Sequence, residues 1–372
     1  MNPDSSALVV PALAFALAVV FGAVALRANF CTMGAITDVV NFGDWRRMRM
    51  WLLAIAVAIL GTTALASAGL IDTSKTIYTG VRVPWLSHVV GGLLFGFGMT
   101  LASGCGSKTL LRVGAGNLKS LVVLVFLGIS AYMTLRGLFA LPRVNLLDTV
   151  RLDFAAMLGA KQSDLGSLAG AVGLGAAAKL WLPIVVAVAL AAFVFANRDF
   201  RATREMIVGG IVIGLVIVGG WYVSGHLGYL AEDPATLEEK FVATNSGRME
   251  SFSFTAPVAY LLELLLLWSD KSRVMTFGIA GVLGMMLGAT GAALATRTFR
   301  WEGFAGIEDV GNHIVGGILM GFGGVTALGC TIGQGLSGIS TLAFGSVLAL
   351  LSIIAGCFVA TRYQYWRMES AA

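Results

Sequence analysis

The chain is a succession of long apolar stretches separated by short polar ones. Residues 8–26, 51–71, 118–141, 176–196, 206–224 and 274–295 are each long enough, as helix, to cross a hydrocarbon layer, which takes about 20 apolar residues. Residues 346–360 fall somewhat short of that length. Residues 256–268 are shorter still and carry Glu263, which predicts a span that is tilted, broken or helped by its neighbours. The stretch from Arg27 to Gly43 is apolar enough to fold back into the membrane between two spans. These patterns predict an all-α polytopic membrane protein with eight or nine full crossings and additional re-entrant pieces.

One pattern occurs twice. His88-Val-Val-Gly-Gly-Leu-Leu-Phe-Gly-Phe-Gly-Met-Thr-Leu-Ala-Ser-Gly-Cys105 returns 225 residues later as His313-Ile-Val-Gly-Gly-Ile-Leu-Met-Gly-Phe-Gly-Gly-Val-Thr-Ala-Leu-Gly-Cys330, with eleven of eighteen positions identical. Gly91, Gly92, Gly96 and Gly98 recur as Gly316, Gly317, Gly321 and Gly323, and such small faces let helix backbones approach closely. Gly104-Cys105-Gly106 and Gly329-Cys330-Thr331-Ile332-Gly333-Gln334-Gly335 then break the helix. Non-helical backbone at membrane depth is tolerated only inside protein or along a cavity, so both cysteines are expected at helix breaks near the bilayer middle. Paired half-structures with broken helices around a shared central site are a transporter architecture. Ordinary Gly-rich helix packing with incidental cysteines is the plainer reading, and it leaves the joint recurrence of His, glycines and Cys unexplained. The duplication divides the chain into a first half (1–141, with Cys31 and Cys105), linking helices and polar loops (142–255) and a second half (256–372, with Cys330), all within one membrane domain.

Composition agrees with the pattern. The chain is 57% hydrophobic and only 12% charged, with a mean hydropathy of +0.86, whereas soluble domains are roughly a quarter charged. The net charge of +5 is spread over loops; it points to no nucleic-acid partner, and its first role is to set topology. Asp4 and the absence of Lys or Arg before the first apolar run speak against a cleaved signal, so that run is read as a retained helix. Arg46-Arg47-Met48-Arg49 is the strongest basic cluster and is expected on the cytoplasmic side, with the N-terminus outside. Arg198, Arg201 and Arg204 with the acidic loop 232–250 favour repeats that pass through; Arg143, Arg151 and Lys161 favour repeats that dip and return, in inverted orientation. Inversion is preferred, because it brings both thiols to one midplane from opposite sides. The loops 142–165 and 225–255 are too small for a soluble catalytic domain.

The chemistry-bearing residues are thiols. Cys31, Cys105 and Cys330 each sit in a small-residue neighbourhood at a predicted break, while Cys357 lies inside the last apolar run and reads as packing. The part of the second half that matches Cys31, Arg297 to Gly303, holds no cysteine. No Cys-x-x-Cys occurs, and only His88, His226 and His313 could assist a metal, so neither a metal site nor a cofactor is expected. A thiol in apolar surroundings stays protonated and acts as a weak donor and polarizable partner, which suits a soft, sulfur-bearing anion. Backbone N–H groups after the breaks, at Gly106-Ser107-Lys108 and Thr331-Ile332-Gly333, would add an anion nest. Gly104, Gly329, Thr331 and Gln334 are candidate wall residues, and Lys108 adds a charge in one copy only, being equally readable as an interfacial lysine. His88 and His313 open the two copies as helix caps or as residues of the mouths. Asp38, Glu263, Glu308 and Asp309 are the ionisable residues nearest apolar segments. No Walker motif or dinucleotide fingerprint is present, which speaks against ATP-driven transport by this chain alone.

Phe30-Cys31-Thr32-Met33-Gly34, the stretch Gly96 to Gly106 and the stretch Met320 to Gly335 resemble the YeeE/YedE family of sulfur-transport membrane proteins, over essentially the whole chain. The resemblance implies thiosulfate uptake across the inner (cytoplasmic) membrane by a multi-pass, hourglass-shaped molecule whose loops dip to its centre. It also implies that Cys31, Cys105 and Cys330 hand the ion along by S–H···S and S–H···O contacts, and that a cytoplasmic TusA-like sulfur-carrier protein is a partner. The middle of the chain is longer than a minimal member needs, and longer members include some linked to selenium metabolism. Uptake of a selenium or other sulfur species is therefore the alternative within the same class. A membrane thiol enzyme forming a cysteine persulfide is the alternative from another class, disfavoured by the lack of a local dithiol or cofactor motif. A purely structural subunit leaves the duplicated Gly-Cys motif without a reason.

Overall fold

A computed structural model describes residues 3–233, 237–304 and 306–371. Its principal helices are α1 (Pro3–Arg27), α2 (Thr32–Phe42), α3 (Arg46–Ser67), α4 (Trp85–Leu101), α5 (Gly106–Gly114) and α6 (Leu118–Arg136) in the first part of the chain. These are followed by α7 (Ala178–Phe195), α8 (Arg204–Tyr222), α9 (Thr255–Leu266), α10 (Phe277–Ala295), α11 (Ile307–Thr326) and α12 (Phe344–Ala371). Among the described residues, eight helices are long and apolar enough to cross a membrane, with α1 counted together with α2 and α4 with α5. The last helix runs for 28 residues, well beyond the apolar stretch 346–360, because its polar C-terminal turns continue the same helix. Conversely, α6 stops at Arg136, where Gly137 turns the backbone out of the helix.

The centre of the fold is an antiparallel crossing of the two copies of the duplicated stretch, α4 and α11. A Cβ placed on Gly91 would lie 2.7 Å from the Gly323 carbonyl oxygen, and one on Gly323 would lie 2.6 Å from that of Gly91. Gly98 and Gly316 stand in the same reciprocal relation, at 2.7 Å each way. Side chains at these positions would force the two backbones apart. The remaining repeated glycines face outward from the crossing: Gly92 and Gly96 receive α12, and Gly317 and Gly321 receive α6. Each copy is thus clasped between its counterpart and the closing helix of the opposite half.

Both copies end in the same way. The N–H groups of Ala102, Ser103 and Gly104 return to the carbonyls of Gly98, Thr100 and Met99, and those of Ala327, Leu328 and Gly329 to Gly323, Val325 and Gly324. Ser103 (φ 56°) and Leu328 (φ 60°) adopt the left-handed conformation at these exits, which costs a non-glycine residue about 1 kcal/mol. The carbonyls freed there find partners: Arg112 donates to Ser103 O at 2.8 Å, while Ala327 O receives the Gln334 side-chain amide and lies 3.1 Å from His88 Nδ1. Buried backbone polar groups left alone would be costly.

On one side of the bundle the longer connections fold together. Arg82–Val83 pairs antiparallel with Leu152–Asp153, and Tyr229–Leu230 with Lys240–Phe241. Ion pairs Arg82–Asp153 (3.1 Å), Lys75–Glu239 (2.6 Å) and Lys240–Asp233 (2.5 Å) lie along these ribbons. Short α9, at 12 residues, keeps its charge inside the bundle by pairing: Glu263, 5% exposed, meets Arg273 at 3.2 Å and Arg136 at 3.5 Å. Asp38, Glu308 and Asp309 are paired as well, with Arg47, Arg367 and Lys119.

The crossing makes an unequal demand on two helical glycines. Gly98→Ala should destabilise the protein by about 1–3 kcal/mol through overpacking, whereas Gly291→Ala in α10, where a Cβ meets nothing within 4 Å, should be neutral or stabilising by about 0.5–1 kcal/mol. Thermal melting of the detergent-solubilised variants checks this; equal melting points would mean that the close approach is dispensable.

Candidate functional site

The three breaks that carry Cys31, Cys105 and Cys330 share a local grammar. Asn29 (φ 51°), Ser103 and Leu328 are left-handed residues, each two positions before a cysteine. Cys31 then takes an extended conformation and caps α2, its sulfur accepting the Gly34 N–H at 3.3 Å. Cys330 accepts the Gly333 N–H at 3.4 Å, again three residues on. At Cys105, the N-cap of α5, the Lys108 N–H faces the sulfur without closing a regular bond. A sulfur that accepts from backbone keeps its own S–H free to donate, so the capping geometry presents thiol protons rather than consuming them. All four cysteines of the chain are free and buried.

These breaks come together as two pairs. Cys31 and Cys105 are side-chain neighbours, and the Ser107 hydroxyl lies 3.2 Å from the Cys105 sulfur. Thr331 also faces Cys105, yet its hydroxyl meets no partner in hydrogen-bond geometry. Cys330, the residue before Thr331, makes the second pair: it accepts the Phe254 N–H at 3.4 Å and has the Ser253 hydroxyl at 3.9 Å. Ser253 lies two residues before α9, whereas Cys31 directly precedes and caps α2. One pair thus joins two thiols and the other a thiol and a hydroxyl. Phe21, Phe252, Phe254 and Phe277, all under 2% exposed, pack edge-on and stacked beside Cys330 at centroid separations of 5.1–6.4 Å. They seal that flank with apolar surface.

The two pairs have different surroundings. Next to Cys330 a cavity of about 430 Å³ is lined by Tyr78, Arg248, Glu250, Ser253, Leu328 and Gly329 among others. Burial pushes the Glu250 carboxyl above its usual range although Ser246 N–H donates to it at 2.8 Å. Next to Cys31 the lining is basic: Lys108 Nζ holds Asn29 Oδ1 at 2.7 Å, Arg112 reaches Ser103, and the Arg47 guanidinium lies over Gly34. The N-termini of α2 and α5 add partial positive charge at the Cys31–Cys105 pair.

Sequence reasoning and structure can be compared residue by residue. Ser107, Thr331, Gly104, Gly106, Gly329, Gly333 and Gln334 all sit within the two breaks, and Gln334 braces Ala327 rather than facing open space. His88 bonds across to the end of the opposite copy, whereas His313 stays on its own helix with Asp309 O at 2.7 Å. Cys357 lies in α12 and accepts the Thr100 hydroxyl at 3.3 Å. The segment 297–303 does not approach Cys330; it packs instead on 115–118, with Leu118 N donating to Glu302 O at 2.9 Å. The group that meets Cys330 comes from Ser253 and Phe254, which sequence reasoning missed. A signal was available in Phe252-Ser253-Phe254-Thr255, where an aromatic residue, a small polar one and a threonine open a short helix, as Phe30-Cys31-Thr32 does.

Comparison with known proteins gives the family. The chain is 26% identical to the thiosulfate transporter TsuA of Escherichia coli (strain K12), over 94% of each chain. It is 26% identical to the thiosulfate transporter TsuA of Spirochaeta thermophila, over 90% of this chain and 93% of the relative. The probable transporter YedE of Escherichia coli (strain K12) matches at 29% over 31% of this chain and 29% of its own. A family model described as sulphur transport matches residues 27–359, a range that contains all three breaks. With its multi-pass helical fold, the chain belongs to the sulphur-transport family.

Proposed function

We propose that this protein imports thiosulfate across the cytoplasmic membrane along a path formed by Cys330, Cys105 and Cys31, without covalent attachment to any of them. The observation that carries the reading is the succession of the buried Cys31–Cys105 pair, an unpartnered Thr331 hydroxyl facing Cys105, and the adjacent buried Cys330 with the half-buried Ser253 beside it. Relatives named as thiosulfate transporters support the solute. Neutral S–H and O–H donors recognise a dianion without the repulsion that thiolates would bring. The reciprocal glycine contacts of α4 and α11 support an inverted two-fold relation between the halves. The basic cluster Arg46-Arg47-Met48-Arg49 supports a cytoplasmic position for the Cys31 end of the path, where Lys108, Arg47 and Arg112 would draw the ion out. The cavity beside Cys330 then opens outward and receives it. A cytoplasmic sulfur carrier of the TusA type would collect the ion at the basic mouth. A selenium analogue of thiosulfate has the same charge and shape and would use the same contacts.

Labelled thiosulfate uptake into proteoliposomes containing only this protein tests the reading. Cys105→Ala and Cys330→Ala should each slow uptake by about ten- to a hundredfold, the loss expected for one hydrogen bond to a charged group. Cys357→Ala should transport like wild type. Protein recovered after turnover should show an unchanged intact mass; the gain of one sulfur atom on a cysteine would favour persulfide chemistry instead.

Ser253 provides a sharper check. Ser253→Ala should lower uptake by about tenfold, and Ser253→Cys should restore it, since a thiol is the group that the other half uses. Wild-type uptake by Ser253→Ala would remove this residue from the path.

A further inference from the structure

A second cavity, of about 450 Å³, lies away from the thiols, between the end of α3, the start of α7 and the segment that follows Cys330. It contains polar groups whose bonding is incomplete. Asp164 is 5% exposed; its Oδ1 accepts the Ser167 N–H at 2.8 Å, but its Oδ2 is shut off from water and has no hydrogen-bond partner. Thr62, fully buried on α3, likewise has an unpartnered hydroxyl oxygen. Thr341 Oγ1 donates to Gly338 O at 2.8 Å, which leaves its oxygen able to accept. Leaving a buried acceptor unsatisfied costs about 1–3 kcal/mol, and more when it is charged. All three residues line the one cavity.

The cavity is fastened to the thiol path. Asp164 pairs antiparallel with Ala343, with Leu165 N donating to Leu342 O at 3.0 Å and Phe344 N to Ser163 O at 2.9 Å. The short segment that carries Cys330 at one end therefore carries the cavity wall at Ser340 and Thr341 at the other. Ser340 also receives Trp221 Nε1 at 2.9 Å, and Trp221 stacks edge-on with Tyr78 of the outer cavity.

We propose that this cavity binds a small hard monovalent cation of the sodium type, with Asp164 Oδ2, Thr62 Oγ1 and Thr341 Oγ1 as oxygen ligands, and that the 330–341 segment links its occupancy to the anion path. All-oxygen ligation selects a hard cation. One carboxylate among neutral oxygens suits a single positive charge. Two further charged groups line the cavity, Asp72, whose Oδ1 is held by Ser74, and Lys179, whose Nζ is turned onto Gln162 Oε1 at 3.1 Å. A proton would satisfy Asp164 alone and leave Thr62 unpartnered. The link to transport rests on the thiosulfate reading, but the cation site itself does not.

Binding of radioactive sodium to purified protein, measured without thiosulfate, tests the site. Asp164→Asn keeps an Oδ1 for the Ser167 N–H and removes only the charge, so a folded variant is expected. It and Thr62→Val should each weaken sodium binding by about tenfold or more, equal to at least 1.4 kcal/mol, while retaining the wild-type elution profile. Absence of sodium binding by wild type, or undiminished binding by both variants, would overturn the site and leave the thiosulfate path untouched. Thiosulfate should tighten sodium binding in wild type, as reciprocal linkage requires. Sodium binding indifferent to thiosulfate, in protein that passes the uptake test, would overturn the link.

Discussion

The contact on which the rest of the molecule depends is backbone against backbone: α4 crossing α11 through Gly91, Gly98, Gly316 and Gly323. With no hydrophobic driving force between helices in lipid, close packing and polar contacts must supply the association. A crossing this tight also fixes position. Cys105 and Cys330 each lie four residues beyond the helix end, after identical hydrogen-bonded exits. The glycines thereby place two thiols at a fixed separation without any bond between them. His88 and Gln334 close the arrangement by satisfying the carbonyl of Ala327 at the exit.

Much of this was legible in the chain. Apolar run lengths announced the spans, and the repeated glycines announced the crossing, because only close backbone approach explains glycine at the same four places in both copies. The helix breaks were legible from Gly104-Cys105-Gly106 and from the glycines after Cys330. What pairs with what was not. Ser253 reaches Cys330 from a loop 77 residues away in sequence, and no local pattern encodes that meeting. Looking for a cysteine at 297–303 failed because the second half uses the start of α9, a short helix whose charged Glu263 made it look like a weak span. Asp164 escaped notice for a related reason. It reads as a loop residue capping a short helix, and only the fold buries its second oxygen without a partner, in the lining of a cavity it shares with Thr62.

The chemistry of the path follows from what the breaks do to sulfur. A backbone N–H directed at Cys31 and at Cys330 holds each side chain in one place and leaves its S–H to donate. Hydroxyls at Ser107, Thr331 and Ser253 extend the row with stronger donors. On the proposed reading, neutral donors in a low-dielectric interior would bind an anion firmly enough to admit it, and several modest sites would let it leave again. Formal positive charge stands beside Cys31, where Lys108 and Arg112 are held by neutral oxygen acceptors, and Arg248 supplies it in the cavity beside Cys330. The oxygen-lined cavity at the far end of the Cys330 segment gives the same short stretch of chain a second ion to respond to.

The central claim is that the anion passes between the two pairs without bonding to sulfur. Anomalous diffraction from crystals soaked in selenosulfate, the selenium analogue of thiosulfate, tests it most directly. The account predicts a selenium peak between Cys105 and Cys330, within hydrogen-bonding reach of Thr331 and at non-bonded distance from every sulfur. A peak covalently joined to one cysteine, or one found only at the basic surface near Arg47, would contradict it.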